Sequence, residues 1–159
     1  MSRKKRVYKQ NKSGLKEPVF KNDILLKFIN CLMFDGKKAV AEKLIYDCFR
    51  NIRKEVSVDP ILVFNQAIQN TTPIVQVKSI RIAGSNYQVP IEIPLHRQTM
   101  LSIKWIIESA RKRSEKTMIE RLSKEFIDAS KNTGKAIDKK ISMHKMAESN
   151  RAYAHYRWQ

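Results

Sequence analysis

His144 and His155 are the one histidine pair in this chain whose spacing suggests shared acid–base work, of the kind that cleaves a phosphodiester. On a single continuous helix their eleven-residue separation puts them about 16 Å apart at 1.5 Å rise per residue, too far to act on one phosphate. His96 stands apart from both. The serines lack a nucleophile-elbow context, and no glycine-rich run could cradle a phosphate. Cys31 and Cys48 are isolated, without the close spacing of a zinc site or a redox pair, so they read as buried free thiols on apolar helix faces. The residue types therefore argue against an enzyme and call for no cofactor and no metal.

The charged residues say more. The 159 residues hold 32 Lys and Arg against 15 Asp and Glu, a net charge of +17. Such an excess repels itself and makes most sense beside a polyanion. Membrane phosphates are the weaker choice, because there is no apolar run near 20 residues and no lipidation signal. Nucleic acid is the better one. Residues 1–21 carry eight Lys/Arg against Glu17 alone. They lack the apolar face of a transit peptide and the apolar stretch of a secretory signal, and read as a basic arm for nucleic acid. A charged run on a helix is ordinarily a solvated face, and Arg111, Lys112 and Arg113 alone would be no more than that. Their coincidence with the tail, with "GKK" at 36–38 and with seven Lys/Arg against two acids over 131–159 favours RNA or DNA. Tyr87, Trp105, Tyr153, Tyr156 and Trp158 could stack on bases. Trp105, among isoleucines, reads instead as core, and Tyr156, Arg157 and Trp158 sit at what reads as a frayed end.

The elements that must position these residues are mostly helical. Asn22 or Asp23 caps a helix to about 33, with Ile24, Leu25, Phe28, Ile29 and Leu32 at helical spacing. "DGKK" breaks it, and a second helix over 38–55 carries a stripe from Val40 to Ile52. Asp59–Pro60 opens a third helix to about 70. A fourth is expected over 96–114 with Met100, Ile103, Ile107 and Ala110 inward; a fifth runs from the Thr117–Glu120 capping pattern to about 131, and a last from about 139 to 153. Between the third and fourth, "VKSIRIAGSNYQVP" (77–90) reads as two strands joined across "AGS". The hairpin spans roughly 73–93, with Val75, Val77, Val89, Ile91 and Ile93 making an apolar base and the tip turning polar and basic. One hairpin makes no stable sheet alone. The expectation is a mainly α protein: a six-helix, bundle-like body with a protruding two-stranded arm, residues 1–21 as a basic extension and 22–159 as one domain.

"DGKK" (35–38), "VKSIRIAGSNYQVP" (77–90), "WIIESARKR" (105–113), "TMIERL" (117–122) and "HKMAESNRAYAHYRW" (144–158) together resemble the bacterial-type small-subunit ribosomal protein seven family, in order and over essentially the whole chain. The resemblance implies a helical body with a projecting β-ribbon, which would explain the solitary hairpin. It implies direct binding to the 3′ major domain of small-subunit rRNA, nucleation of the head, and a ribbon close to exit-site tRNA and the messenger path. The RNA-facing positions it carries over are Arg3, Lys4 and Arg6 in the arm, Lys37 and Lys38, Lys78 and Arg81 on the ribbon, Arg97, and Arg111 with Arg113. Met118 and the Lys139–Lys140 stretch fall in segments also near RNA. Tyr156, Arg157 and Trp158 resemble the part that meets a neighbouring platform protein.

Departures accompany the match. Where the family usually reads "SRRVGG" this chain has "SIRIAG", so Ile80 replaces an Arg and Ala83 a Gly; Gln98 stands for a common Arg, and Ile141 for an acid. "TMIERLSKEFIDASKNTG" resembles alphaproteobacterial members, and a Lys/Asn/Ile-rich chain with 4 Gly suits an AT-rich organelle genome. A mitochondrial ribosome is expected, with the chain encoded inside the organelle; a plastid or bacterial cytoplasm is the alternative. The competing functions are a free RNA-binding translational regulator, a DNA-architectural protein and a nuclease. The hairpin and C-terminal motifs favour the ribosome.

Overall fold

A computed structural model describes residues 17–82 and 84–158, for Arg157 and Trp158 the backbone alone. Arg3, Lys4 and Arg6 lie outside the described residues. Helix α1, Asp23–Leu32, starts where Asn22 Oδ1 accepts the Ile24 and Leu25 amides at 2.8 and 3.3 Å. Asp35 and Gly36 then take left-handed backbone, φ 50° and 74°, which turns the chain into α2, Lys38–Glu55. Helix α3, Pro60–Thr71, is capped by Asp59 with Pro at the first helical position. Helix α4 spans Leu95–Arg111, and α5, Met118–Ser130, opens with Thr117 Oγ1 accepting the Glu120 amide at 3.3 Å. These helices bury one apolar centre. Phe28, Phe64 and Phe126 are fully buried, with ring centroids 5.3–5.6 Å apart, and Phe49 packs at their edge. Cys48 is buried there beside Ser123, and burial pushes its thiol up to about 12. Cys31 is only partly buried.

Three boundaries differ from expectation. Helix α4 stops at Arg111, earlier than the expected 114; Lys112 still pairs back with Glu108, while Arg113 turns to Glu125 and Asp128 of α5. Helix α6 runs Lys135–Ser149, not 139–153. Its early start follows from Gly134, at φ 96°, and from buried Glu125 of α5, whose Oε1 accepts the Ala136 amide at 3.0 Å. Thirdly, the end of the chain, with 151–153 expected to finish the last helix and Tyr156–Trp158 to fray, forms a terminal 3-10 helix, Arg151–Trp158. The break at Asn150 also means that His144 and His155 do not share one helix.

The body also begins earlier than Asn22. Glu17 is fully buried and accepts the Val19 and Phe20 amides and the Tyr46 hydroxyl, while Phe20 meets Phe49 edge to face at 5.5 Å. Burial and the Glu17 carboxylate push the Tyr46 hydroxyl up to about 12. Residues 17–21, read as tail, thus pack on α2.

The hairpin pairs β1, Val75–Ile82, with antiparallel β2, Ser85–Glu92; Ile82 faces Ser85, which leaves a two-residue turn containing Gly84 at φ 87°. Directly paired residues share a face. Lys78, Ile80, Tyr87, Val89 and Ile91 therefore lie on one face, and Val75, Val77, Arg81, Asn86 and Gln88 on the other. The apolar base is accordingly two-sided. Val89 and Ile93 are buried, whereas Val75, Val77 and Ile91 are half-buried. Among the described elements only α6 and the terminal 3-10 helix pack on the ribbon.

Candidate nucleic-acid interface

The expected RNA-facing side chains sort into three groups by what holds them. The first group gathers around one surface hollow. Gly36 delivers Lys37 and Lys38 at the start of α2, Arg111 closes α4, and Met118 opens α5. Arg111 lays its guanidinium over the Phe34 ring, with Cζ 4.4 Å from the centroid. Lys37, Arg111, Met118 and Arg121 line a hollow of about 440 Å³ whose apolar floor comes from Leu32, Met33, Val40 and Leu44. Among the described residues no carboxylate lines it. Lys38, the residue after Lys37, pairs with Glu42 one turn on at 3.5 Å. Arg121 and Phe34 were missed by the sequence reading, though Arg121 follows Met118 by three and so shares its helix face.

The second group is the ribbon. Lys78 and Arg81 are exposed, but the register sets them on opposite faces. Ile80 sits directly across from Tyr87, and Tyr87 packs against Tyr153 and Tyr156 of the terminal 3-10 helix at 5.5 and 5.3 Å. The apolar Ile80 thus extends an aromatic patch where an arginine would bring charge. Arg97 is exposed in the first turn of α4. Beside it Gln98 Nε2 donates to the Ile93 carbonyl at 2.8 Å, which ties the end of the ribbon to the helix.

The third group is engaged by other groups of the protein, and here the reading of Arg113 as an exposed cation is corrected. Arg113 is only 15% exposed; it bonds Glu125 at 3.0 Å and also Asp128, with Glu115 nearby. Glu125 is fully buried, and burial raises its pKa against the pull of the Ala136 amide and Arg113. Arg113 is thus the neutralising partner of a buried carboxylate, not a free end of the "ARKR" run. Lys140 Nζ donates to the Asn70 carbonyl at 2.6 Å, capping the end of α3. Lys139 pairs with Glu108 at 2.8 Å across α4 and α6. The Lys139 and Lys112 ammonium groups hold the exposed Glu108 carboxyl down at about 2. Trp105, expected in the core, is partly exposed and borders a surface hollow with Met143 and Met146.

His144 has a structural task. Its Nε2 accepts the Ile74 amide at 3.2 Å at the foot of the ribbon, and burial with nearby Lys140 lowers its pKa.

Comparison with known proteins places the chain in a family. The family described as Ribosomal protein S7p/S5e matches residues 2–151. The chain is 82% identical over 159 residues, all of both chains, to small ribosomal subunit protein uS7m of Reclinomonas americana. It is 51% identical over 144 residues to uS7 of Desulfitobacterium hafniense, covering 91% of this chain and 92% of that one. Against uS7 of Mesomycoplasma hyopneumoniae the identity is 48% over 158 residues, 99% and 100% of the two chains. On a family match over residues 2–151 and full-length relatives of this kind, the chain belongs to the ribosomal protein S7p/S5e family, as a mitochondrial-type member, and is a structural constituent of the small ribosomal subunit.

Proposed function

We propose that this protein binds the 3′ major domain of small-subunit rRNA directly and nucleates the head of the mitochondrial small subunit. The observation that carries the reading is the convergence of Lys37, Arg111 and Met118, from three separate stretches of chain, on one hollow that no carboxylate lines among the described residues. Cations brought together without neutralising partners attract phosphate, and the apolar floor between them suits the faces of bases. Arg3, Lys4 and Arg6 extend the basic surface through the N-terminal arm. The ribbon, with Lys78 and Arg81 on opposite faces, reaches toward exit-site tRNA and the messenger path. The terminal helix with Tyr156, Arg157 and Trp158 faces a neighbouring platform protein. The role is structural and not catalytic: His144 is engaged as a hydrogen-bond acceptor for the ribbon, and His155 lies against Tyr156.

The test is affinity for a transcript of the head junction against duplex DNA of equal length, at about 0.2 M salt, where non-specific attraction is suppressed. A strong preference for the transcript is expected. Equal affinities would defeat the proposal.

A further inference from the structure

We infer that the hollow walled by Phe34 and Arg111 receives one unpaired nucleobase of the bound RNA, with Lys37 and Arg121 on the flanking phosphates. This rests on the rRNA-binding reading above and adds a mode of recognition to it. Phe34 and Val40 are each 64% exposed, so apolar surface lies open at the mouth of the site. The guanidinium over Phe34 holds Arg111 in one place, and its outer surface offers a second stacking plane. The volume, about 440 Å³, falls toward the small end of the range of roughly 300–1,000 Å³ typical of small-molecule sites. It admits a base with its sugar, not a duplex.

Charge selects among occupants. An apolar side chain from a protein would fit the floor formed by Val40 and Met118, but would leave Lys37 and Arg111 unanswered, while Arg121 already donates its Nε–H to the Glu115 carbonyl at 2.5 Å and keeps its outer nitrogens for a second acceptor. A bare phosphate would answer the cations and waste the floor. A nucleotide extruded from an RNA strand satisfies both, because its base is flat and apolar on its faces while its two phosphates carry the negative charge.

The experiment uses the full chain and a transcript of the 3′ major domain. Phe34→Ala removes an exposed ring and keeps every cation. Affinity should fall roughly 5- to 160-fold, the range for loss of one base–aromatic stack, with the slope of log affinity against log salt unchanged. One abasic substitution at an unpaired nucleotide should cost the native chain a similar factor and cost Phe34→Ala nothing further. Val40→Gln, which makes the floor polar at an exposed position, should weaken binding with the same unchanged slope, and gives a second reading should Phe34→Ala fold poorly. Native affinity in both variants, with Arg111→Gln still weakening binding, would overturn the base site and leave the rRNA reading standing. Failure of the native chain to prefer the transcript over duplex DNA would instead strike the rRNA reading itself.

Discussion

The ring of Tyr87, on the second strand of the ribbon, lies 5.3 Å centroid to centroid from the ring of Tyr156 in the terminal 3-10 helix. Tyr153 joins them at 5.5 Å from Tyr87. Two parts of the chain expected to act separately, an arm and a frayed end, are thereby one unit. Among the described residues the ribbon has no third strand, so helices stand in for it: α6 and the 3-10 helix supply the packing that a two-stranded sheet needs.

Removing residues 151–159 should leave the helical body folded, because none of the described residues of the buried core lies there. The ribbon should loosen. Aromatic pairs contribute about 0.5–1.5 kcal/mol each beyond their buried area, so amides of residues 85–92 should exchange with solvent roughly tenfold faster or more. Native exchange rates in the shortened chain would show that the tyrosine contacts carry no weight.

Arg111 and Arg113 should behave oppositely despite being two residues apart. Arg111→Ala removes an exposed cation and should cost about 0.5 kcal/mol of stability or less while weakening RNA binding. Arg113→Ala strands the buried Glu125 carboxylate and should cost about 3 kcal/mol, as breaking buried ion pairs does. Urea denaturation of both variants at neutral pH separates the cases. Similar midpoints for the two would contradict the internal network.

Acid should release the foot of the ribbon. His144 must be neutral at Nε2 to accept the Ile74 amide, and its pKa is lowered in the fold by burial first and by Lys140 second. A folded pKa below the unfolded value of about 6.5 means that the unfolded chain binds the proton more readily. This contribution is therefore present above about pH 6.5 and is lost as pH falls through the lower folded value. Protection of the Ile74 amide should drop on acidification in the native chain. In His144→Phe, which lacks both acceptor and titration, it should be low throughout.

Base and tip of the hairpin should also differ. Val89→Asp places a charge at a fully buried site and should damage the docking of the ribbon severely. Val77, half-buried on the other face, should tolerate the same change better. Replacing residues 81–86 by an Asn-Gly turn, which keeps Ile80 across from Tyr87, should leave the body folded and the protein able to enter small subunits, since the cation-lined hollow lies elsewhere. Its defect should appear as weaker retention of exit-site tRNA in assembled ribosomes. A trimmed chain that fails to assemble would place primary binding on the ribbon.

Much of the fold is written locally. Both ends of α2, the Asn22, Asp59 and Thr117 caps, and the hairpin all follow from residues within one or two turns of one another. Periodicity shows which face of each helix is apolar, and short polar side chains mark where the backbone amides begin to need partners. The composition likewise announces a polyanion partner by itself. What local signals do not contain is which side chain meets which across the body. The start of α6 escapes a local reading because its amide partner, Glu125, lies on α5 and not beside it in sequence. Arg111 and Arg113 look alike in "ARKR"; only the packing of α5 against α4 brings Glu125 and Asp128 to one of them and leaves Phe34 to the other. Lys78 and Arg81 became opposite-facing through strand register, and Lys140 became a helix cap through the approach of α6 to α3. An excess of positive charge is a sum over residues and needs no fold. Whether a particular cation meets a carboxylate, a carbonyl or open solvent depends on neighbours far away in sequence, and tertiary packing alone assigns those.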